Sequence, residues 1–173
     1  MNLTEYLLFT NSTAVYPGMG TGNPDELSYL CFGLIGEYAE WLECDGEEEI
    51  LKEAGDVYWY GVRLIFTCGN ITGNSWLSAL QAELEKNPKL LNVVDGQPFF
   101  NYVENIKTVA ESCKKYLRDD NEYKLGDIYL STLLILKHVT FTTGDMQEIL
   151  DTNVNKLSSR KARGVIQGDG DNR

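Results

Sequence analysis

The chain has 173 residues, 43% hydrophobic and 24% charged, which is enough apolar surface to offset the ordering entropy that keeps a disordered chain open. Fifteen Lys and Arg against 26 Asp and Glu leave a formal charge of -11, and this excludes a grip on nucleic acid dominated by phosphate neutralisation. No stretch reaches the roughly 18 apolar residues of a membrane span, and the first residues lack a basic then apolar leader pattern, so a cytoplasmic protein without a membrane partner is expected.

Helical periodicity dominates the long apolar segments and predicts an all-α fold in one domain over 1–173. A first helix over 3–13 runs into the glycine-rich loop 16–22. Asn23, Pro24, Asp25 and Glu26 then form an N-cap, a first-turn proline and two acids that suit the helix dipole, starting a helix to Glu43. The turn Cys44, Asp45, Gly46 is short enough to return the chain as an antiparallel neighbour, giving a helix over 47–68 closed by Gly69. A helix over 75–85 follows, then irregular chain around Asn87-Pro88 and Asp95-Gly96-Gln97-Pro98. Three more helices are expected over 99–117, 125–142 and 145–160, and the glycine-rich end is expected to be extended or mobile.

Four isolated cysteines, Cys31, Cys44, Cys68 and Cys113, and one histidine, His138, offer little to a zinc site or a Cys-His nucleophile. Buried free thiols and a packed histidine are the expectation.

The chemistry lies in the acids. Glu37 and Glu40 are three apart on one predicted helix, and Glu53 and Asp56 are three apart on the next, so each pair shares a helix face and a hairpin brings the pairs together. Such spacing recurs elsewhere in an acidic chain. These two pairs differ by their company: Glu37 continues the Leu27, Leu30, Leu34 stripe, and Glu53 and Asp56 are interleaved with Ile50, Ala54, Val57 and Gly61. Carboxylates on core-facing stripes are costly unless something binds them, which leaves two readings open, a metal site and the exposed shoulders of an amphipathic bundle. Oxygen donors without sulfur or imidazole favour Mg2+, with Mn2+ as the substitute, and the Glu-x-x-His pairs of a di-iron bundle are absent.

The order Gly33-Leu34-x-Gly36-Glu37-x-x-Glu40, then Glu53-x-Gly55-Asp56-Val57-x-Trp59-Tyr60, resembles the MazG-like all-α nucleoside triphosphate pyrophosphohydrolases. The segment Asn153-x-x-Lys156-Leu157-x-x-Arg160 and the GDGDNR ending are similar to that group's C-terminal region. The resemblance covers residues 2–68 and 143–173, while an extended middle segment, about 70–142, carries no matching motif.

What the resemblance implies is a helical bundle completed by a second chain as a homodimer or homotetramer. It also implies Mg2+ held by Glu37, Glu40, Glu53 and Asp56, and cleavage between the α and β phosphates of a nucleoside triphosphate. Asn153, Lys156 and Arg160 become substrate contacts, the last two lying four apart in a local +3 stretch of an acidic chain. Glu40, then Glu37, is the expected general base, and Glu49 is placed to join the site. Tyr60 and Trp59 are read either as stacking partners for a base or as core aromatics. Arg63 is read as a phosphate contact or an ion-pair partner. The contrasting expectation is a catalytically silent acidic helical protein that binds a partner or a nucleotide; a third, the phosphoribosyl-ATP pyrophosphohydrolase branch, shares the chemistry and differs in substrate.

Overall fold

The structure, a computed structural model, describes residues 1–86, 93–94, 97–98 and 101–166. Seven helices run in the order α1 (Leu3–Asn11), α2 (Pro24–Glu43), α3 (Glu47–Thr72), α4 (Trp76–Glu85), α5 (Tyr102–Asp119), α6 (Tyr123–Thr143) and α7 (Met146–Ala162). Between α4 and α5, β1 (Val93–Val94) pairs antiparallel with β2 (Gln97–Pro98), two residues each. The all-α expectation therefore holds for the bulk of the chain. The irregular chain expected at Asn87-Pro88 and Asp95-Gly96 and the GDGDNR tail lie outside the described residues, while Gln97-Pro98, also expected as irregular chain, is strand β2 because it pairs with Val93–Val94.

Capping explains most helix starts. Asn2 accepts from the Glu5 amide while the Glu5 carboxylate accepts from the Asn2 amide, a reciprocal cap on α1. Asn23, Asn101 and Asp145 cap α2, α5 and α7 in the same sense, each side chain accepting a first-turn amide.

Several helix ends shift by one to four residues from expectation, and two of the shifts have a local cause. α1 stops at Asn11 rather than running to 13, because the Thr10 and Thr13 hydroxyls bond to the carbonyls of Leu7 and Thr10 and draw the chain out of the helix. α3 runs past Gly69 to Thr72, and the left-handed terminator is Gly73, φ 69°. Gly69 is instead a point of close approach, where a Cβ would lie 2.7 Å from the Asn74 carbonyl oxygen.

α3 is the axis of the molecule. It packs against α1, α2, α4, α6 and α7, and its buried residues occupy nearly every face, from Ala54 and Val57 through Tyr58, Val62 and Ile65 to Cys68. A helix apolar all round must be surrounded, and α2, α6 and α7 do most of that. Between α2 and α3, Glu40 approaches Glu53, and Gly33 and Tyr29 approach Tyr60. Every helix contributes to one apolar core, with Leu3, Tyr6, Leu27, Leu34, Tyr58, Leu80, Val109, Ile128 and Ile149 all fully buried.

Cys31, Cys68 and Cys113 are buried free thiols in that core, as expected, while Cys44 is only half-buried and its Sγ lies 3.3 Å from the Glu40 carbonyl oxygen. His138 is half-buried, its Nδ1 2.6 Å from the Tyr38 hydroxyl and its ring edge-on to Trp41. Burial lowers its pKa and keeps it neutral, a packed histidine.

Candidate carboxylate site

α2 and α3 bring three of the four expected acids into one cluster. One carboxylate oxygen from each of Glu37, Glu40 and Glu53 lies within 4.8 Å of the others, Glu40 exposed and the other two half-buried. At that separation like charges raise each other's proton affinity. The Glu37 carboxyl shows it, pushed from 4.5 up to about 8, first by burial, then by the charges of Asp56, Glu40 and Glu53, with Lys156 partly offsetting them. Glu49, expected as a further member, is exposed in the first turn of α3 and stands outside the group of three.

Asp56 stands beside this cluster rather than within it. Its Oδ1 accepts from Asn153 Nδ2 at 2.9 Å, and its Oδ2 from Lys156 Nζ at 2.6 Å, with both ion-pair side chains largely buried at 18% and 11% exposure. Its charge is still the largest single charge acting on Glu37, so the four acids share one electrostatic site although only three crowd together. α7 reaches Asp56 because residue 55 is glycine: a Cβ there would lie 2.7 Å from the Asn153 Cβ.

The expected substrate contacts fall in different places. Asn153 has no exposed surface; its Nδ2 donates to Asp56 and its Oδ1 accepts from the fully buried Tyr6 hydroxyl at 2.7 Å. This position corrects the expectation that Asn153 faces substrate, because both ends of its amide are engaged inside the protein. Lys156 lies at the edge of the carboxylate group. Arg160, four residues on, is 6% exposed and so is turned into the protein rather than presented with Lys156.

Tyr60 overhangs the cluster, kept protonated by burial and by the neighbouring Tyr29, Glu37 and Asp56. Its ring fits because residue 33 is glycine, where a Cβ would lie 2.0 Å from the Tyr60 Cε1. Its hydroxyl is 3.2 Å from that of Tyr29, which is 37% exposed and stacks on Tyr16 at 4.8 Å between centroids. Trp59 is buried edge-on to Tyr60 and Tyr16, which favours the core reading of that residue over a stacking role.

Arg63 is buried and, among the described residues, has no carboxylate ion-pair partner. Its guanidinium donates to the Tyr16 hydroxyl, Thr10 Oγ1 and Asn11 Oδ1 and lies over the Trp59 ring. The Tyr16 hydroxyl donates in turn to Glu26, a buried carboxylate that also accepts the amides of Gly20 and Gly22 and ties the glycine loop to the start of α2.

Tyr6, Tyr16, Glu26 and Tyr29 were not singled out by the sequence. Tyr6 sits in a short N-terminal helix with no motif, 147 positions from its partner Asn153. The only available signal was the apolar face of α1, which marks Tyr6 as core and says nothing of its hydroxyl.

The fold and the site define a class, an all-α protein with an acidic cluster at the contact of two helices and a lysine–aspartate pair beside it. The chain is 30% identical over 176 aligned positions to the Gene 37 protein of Mycobacterium phage L5, covering 100% of both chains, and belongs to the same family as that protein. No family model matches it, and no solved structure does.

Proposed function

We propose that this chain is a Mg2+-dependent nucleoside triphosphate pyrophosphohydrolase of the MazG-like type, cleaving ribo- or deoxynucleoside triphosphates between the α and β phosphates. The observation that carries this reading is the convergence of Glu37, Glu40 and Glu53, with oxygens within 4.8 Å, beside the charged Asp56. An all-oxygen donor set of this size and charge fits Mg2+, with Mn2+ as a substitute.

In this reading an antiparallel α2–α3 hairpin presents Glu37, Glu40, Glu53 and Asp56 to the ion. The bound ion supplies charge neutralisation of the triphosphate and a lowered pKa for the attacking water. Glu40, the exposed member, accepts the water proton on a carboxylate oxygen as the new oxygen bond forms at the α phosphorus and the bond to the bridging oxygen breaks. Lys156 exchanges its contact with Asp56 for a β or γ phosphate oxygen, and pyrophosphate leaves with that charge compensated. Tyr60, half-buried over the cluster with Tyr29 at its rim, offers a face for the base. Arg160 joins only by turning out of its buried position.

Assembly as a homodimer or homotetramer belongs to the same proposal. It is supported by apolar side chains left in solvent on α2 and α6, namely Phe32 at 68%, Leu130 at 57%, Leu134 at 38% and Phe141 at 47% exposure. A cytoplasmic location suits a nucleotide-pool enzyme, and among the described residues no helix is long and apolar enough to cross a membrane.

The deciding experiment incubates the purified chain with each ribo- and deoxynucleoside triphosphate, with and without Mg2+, and measures pyrophosphate and monophosphate. Release of both, dependent on the metal, is expected. Orthophosphate with diphosphate would overturn α–β cleavage, and metal binding without turnover on any triphosphate would favour the silent binding protein instead.

A further inference from the structure

A buried polar chain that the proposed chemistry does not use ends on the carboxylate site. The Tyr6 hydroxyl, fully buried in α1, lies 2.7 Å from Asn153 Oδ1 and 3.4 Å from the Gly55 carbonyl oxygen. Asn153, also without exposed surface, lies in α7 and donates from Nδ2 to Asp56 Oδ1 at 2.9 Å. Three helices therefore meet through one amide.

That amide has two possible settings, and only one suits an ionised carboxylate. Asp56, charged, only accepts, so the atom facing it must be Nδ2. Nothing in Asn153 itself enforces this. Tyr6 favours it, because its phenol donates to Oδ1 at 2.7 Å, whereas with the amide reversed the phenol proton would be left with the Gly55 carbonyl oxygen at 3.4 Å. Burial, and the Asp56 charge after it, raise the Tyr6 pKa and keep the hydroxyl a donor. The glycine at 55 removes the side chain that would push Asn153 away.

We propose that Tyr6 is a positioning residue of the carboxylate site: through the amide of Asn153 it holds the Asp56 carboxylate in the orientation that takes part in divalent cation binding. This rests on the metal reading above. Asn153 stands one step from Asp56 and Tyr6 two; losing a partner at the first step commonly weakens metal binding by about 10-fold or more, and Tyr6 acts through that step.

The test titrates the full chain with Mn2+ in the absence of nucleotide, following free Mn2+ by electron paramagnetic resonance. Tyr6→Phe keeps the ring and removes the hydroxyl. Tyr58→Phe is the control, removing an equally buried hydroxyl of α3 that bonds to Thr140, away from Asp56. Tyr6→Phe is expected to weaken Mn2+ binding by about 10-fold with Tyr58→Phe close to the unsubstituted chain. Asn153→Ala should weaken it as well, and adding Tyr6→Phe to Asn153→Ala should change little further, since the hydroxyl acts only through the amide.

Tyr6→Phe binding as tightly as the unsubstituted chain overturns the inference. So do equal losses in Tyr6→Phe and Tyr58→Phe, which would mark general loosening, and additive losses with Asn153→Ala. Glu53→Gln separates the two levels. If it loses Mn2+ while Tyr6→Phe does not, the metal reading stands and only the role of Tyr6 falls; if the unsubstituted chain binds no Mn2+, both fall.

Discussion

In sequence the four acids form two matching helical pairs, yet the fold sets Asp56 apart from Glu37, Glu40 and Glu53. Asp56 is enclosed: each oxygen has its own donor, from Asn153 and from Lys156, and the pair is largely out of solvent. Glu37, Glu40 and Glu53 approach one another at the contact of α2 and α3, and the Glu37 pKa is raised first by burial and then by the charges of Asp56, Glu40 and Glu53. Asp56 thus meets donors from α7, while the other three acids face one another. That asymmetry suits a site with a fixed protein-facing wall and an open ion-facing wall.

The largest effect is expected from removing one charge on each side. Glu53→Gln and Asp56→Asn should both lower triphosphate turnover by about 1,000-fold or more, read as pyrophosphate release. Their effects on the metal-free fold should have opposite signs. Glu53→Gln relieves repulsion and leaves stability unchanged or higher, while Asp56→Asn abandons a partly buried lysine and lowers stability by about 1–3 kcal/mol in denaturant melts. Equal stability changes of the same sign would erase the contrast.

A pH series is expected to give the next largest effect. The Glu37 pKa is about 8 in the folded chain against an ordinary 4.5, so between these values the folded chain holds more protons than the unfolded one. Stability of the metal-free protein therefore falls as pH rises across that window, by on the order of 1–3 kcal/mol, and is flat in this group's contribution below it. The melting temperature should drop by about 5 °C from about pH 5 to about pH 8 more than in Glu37→Gln, and saturating Mg2+ should restore it.

The smallest effect tests the wall itself. Gly55→Ala places a methyl 2.7 Å from the Asn153 Cβ, forcing α7 away from α3 at the point where Asp56 is held. A loss of about 1–2 kcal/mol is expected, with a weaker grip on Mn2+ than the stability loss alone would explain. Normal Mn2+ affinity in a destabilised Gly55→Ala chain would show that Asp56 does not depend on its α7 partners.

Much of this was legible in one dimension. The start of α2 at Asn23-Pro24 and its end at Glu43 follow from cap chemistry and turn length, which are local. The pairing of Glu37 with Glu40 on a core-facing stripe follows from a 3.6-residue period. The true end of α3 was less legible, because Gly69 read as the terminator and only the approach of Asn74 makes it a packing glycine. The placement of Asn153 was not legible. Its motif suggested a substrate contact, and its burial against Tyr6 depends on α1 and α7 converging on α3 from opposite ends of the chain.

Sequence alone determined the helical class, the two acid pairs and their donor type, because periodicity, capping and ligand chemistry are properties of neighbours along the chain. Tertiary structure alone decided that three acids crowd while the fourth is clasped, that Arg160 and Trp59 are buried, and that a tyrosine hydroxyl from α1 meets an amide from α7. Charge balance and hydrogen-bond direction depend on which groups meet across the core, and those meetings are set by the packing of seven helices rather than by any segment of them.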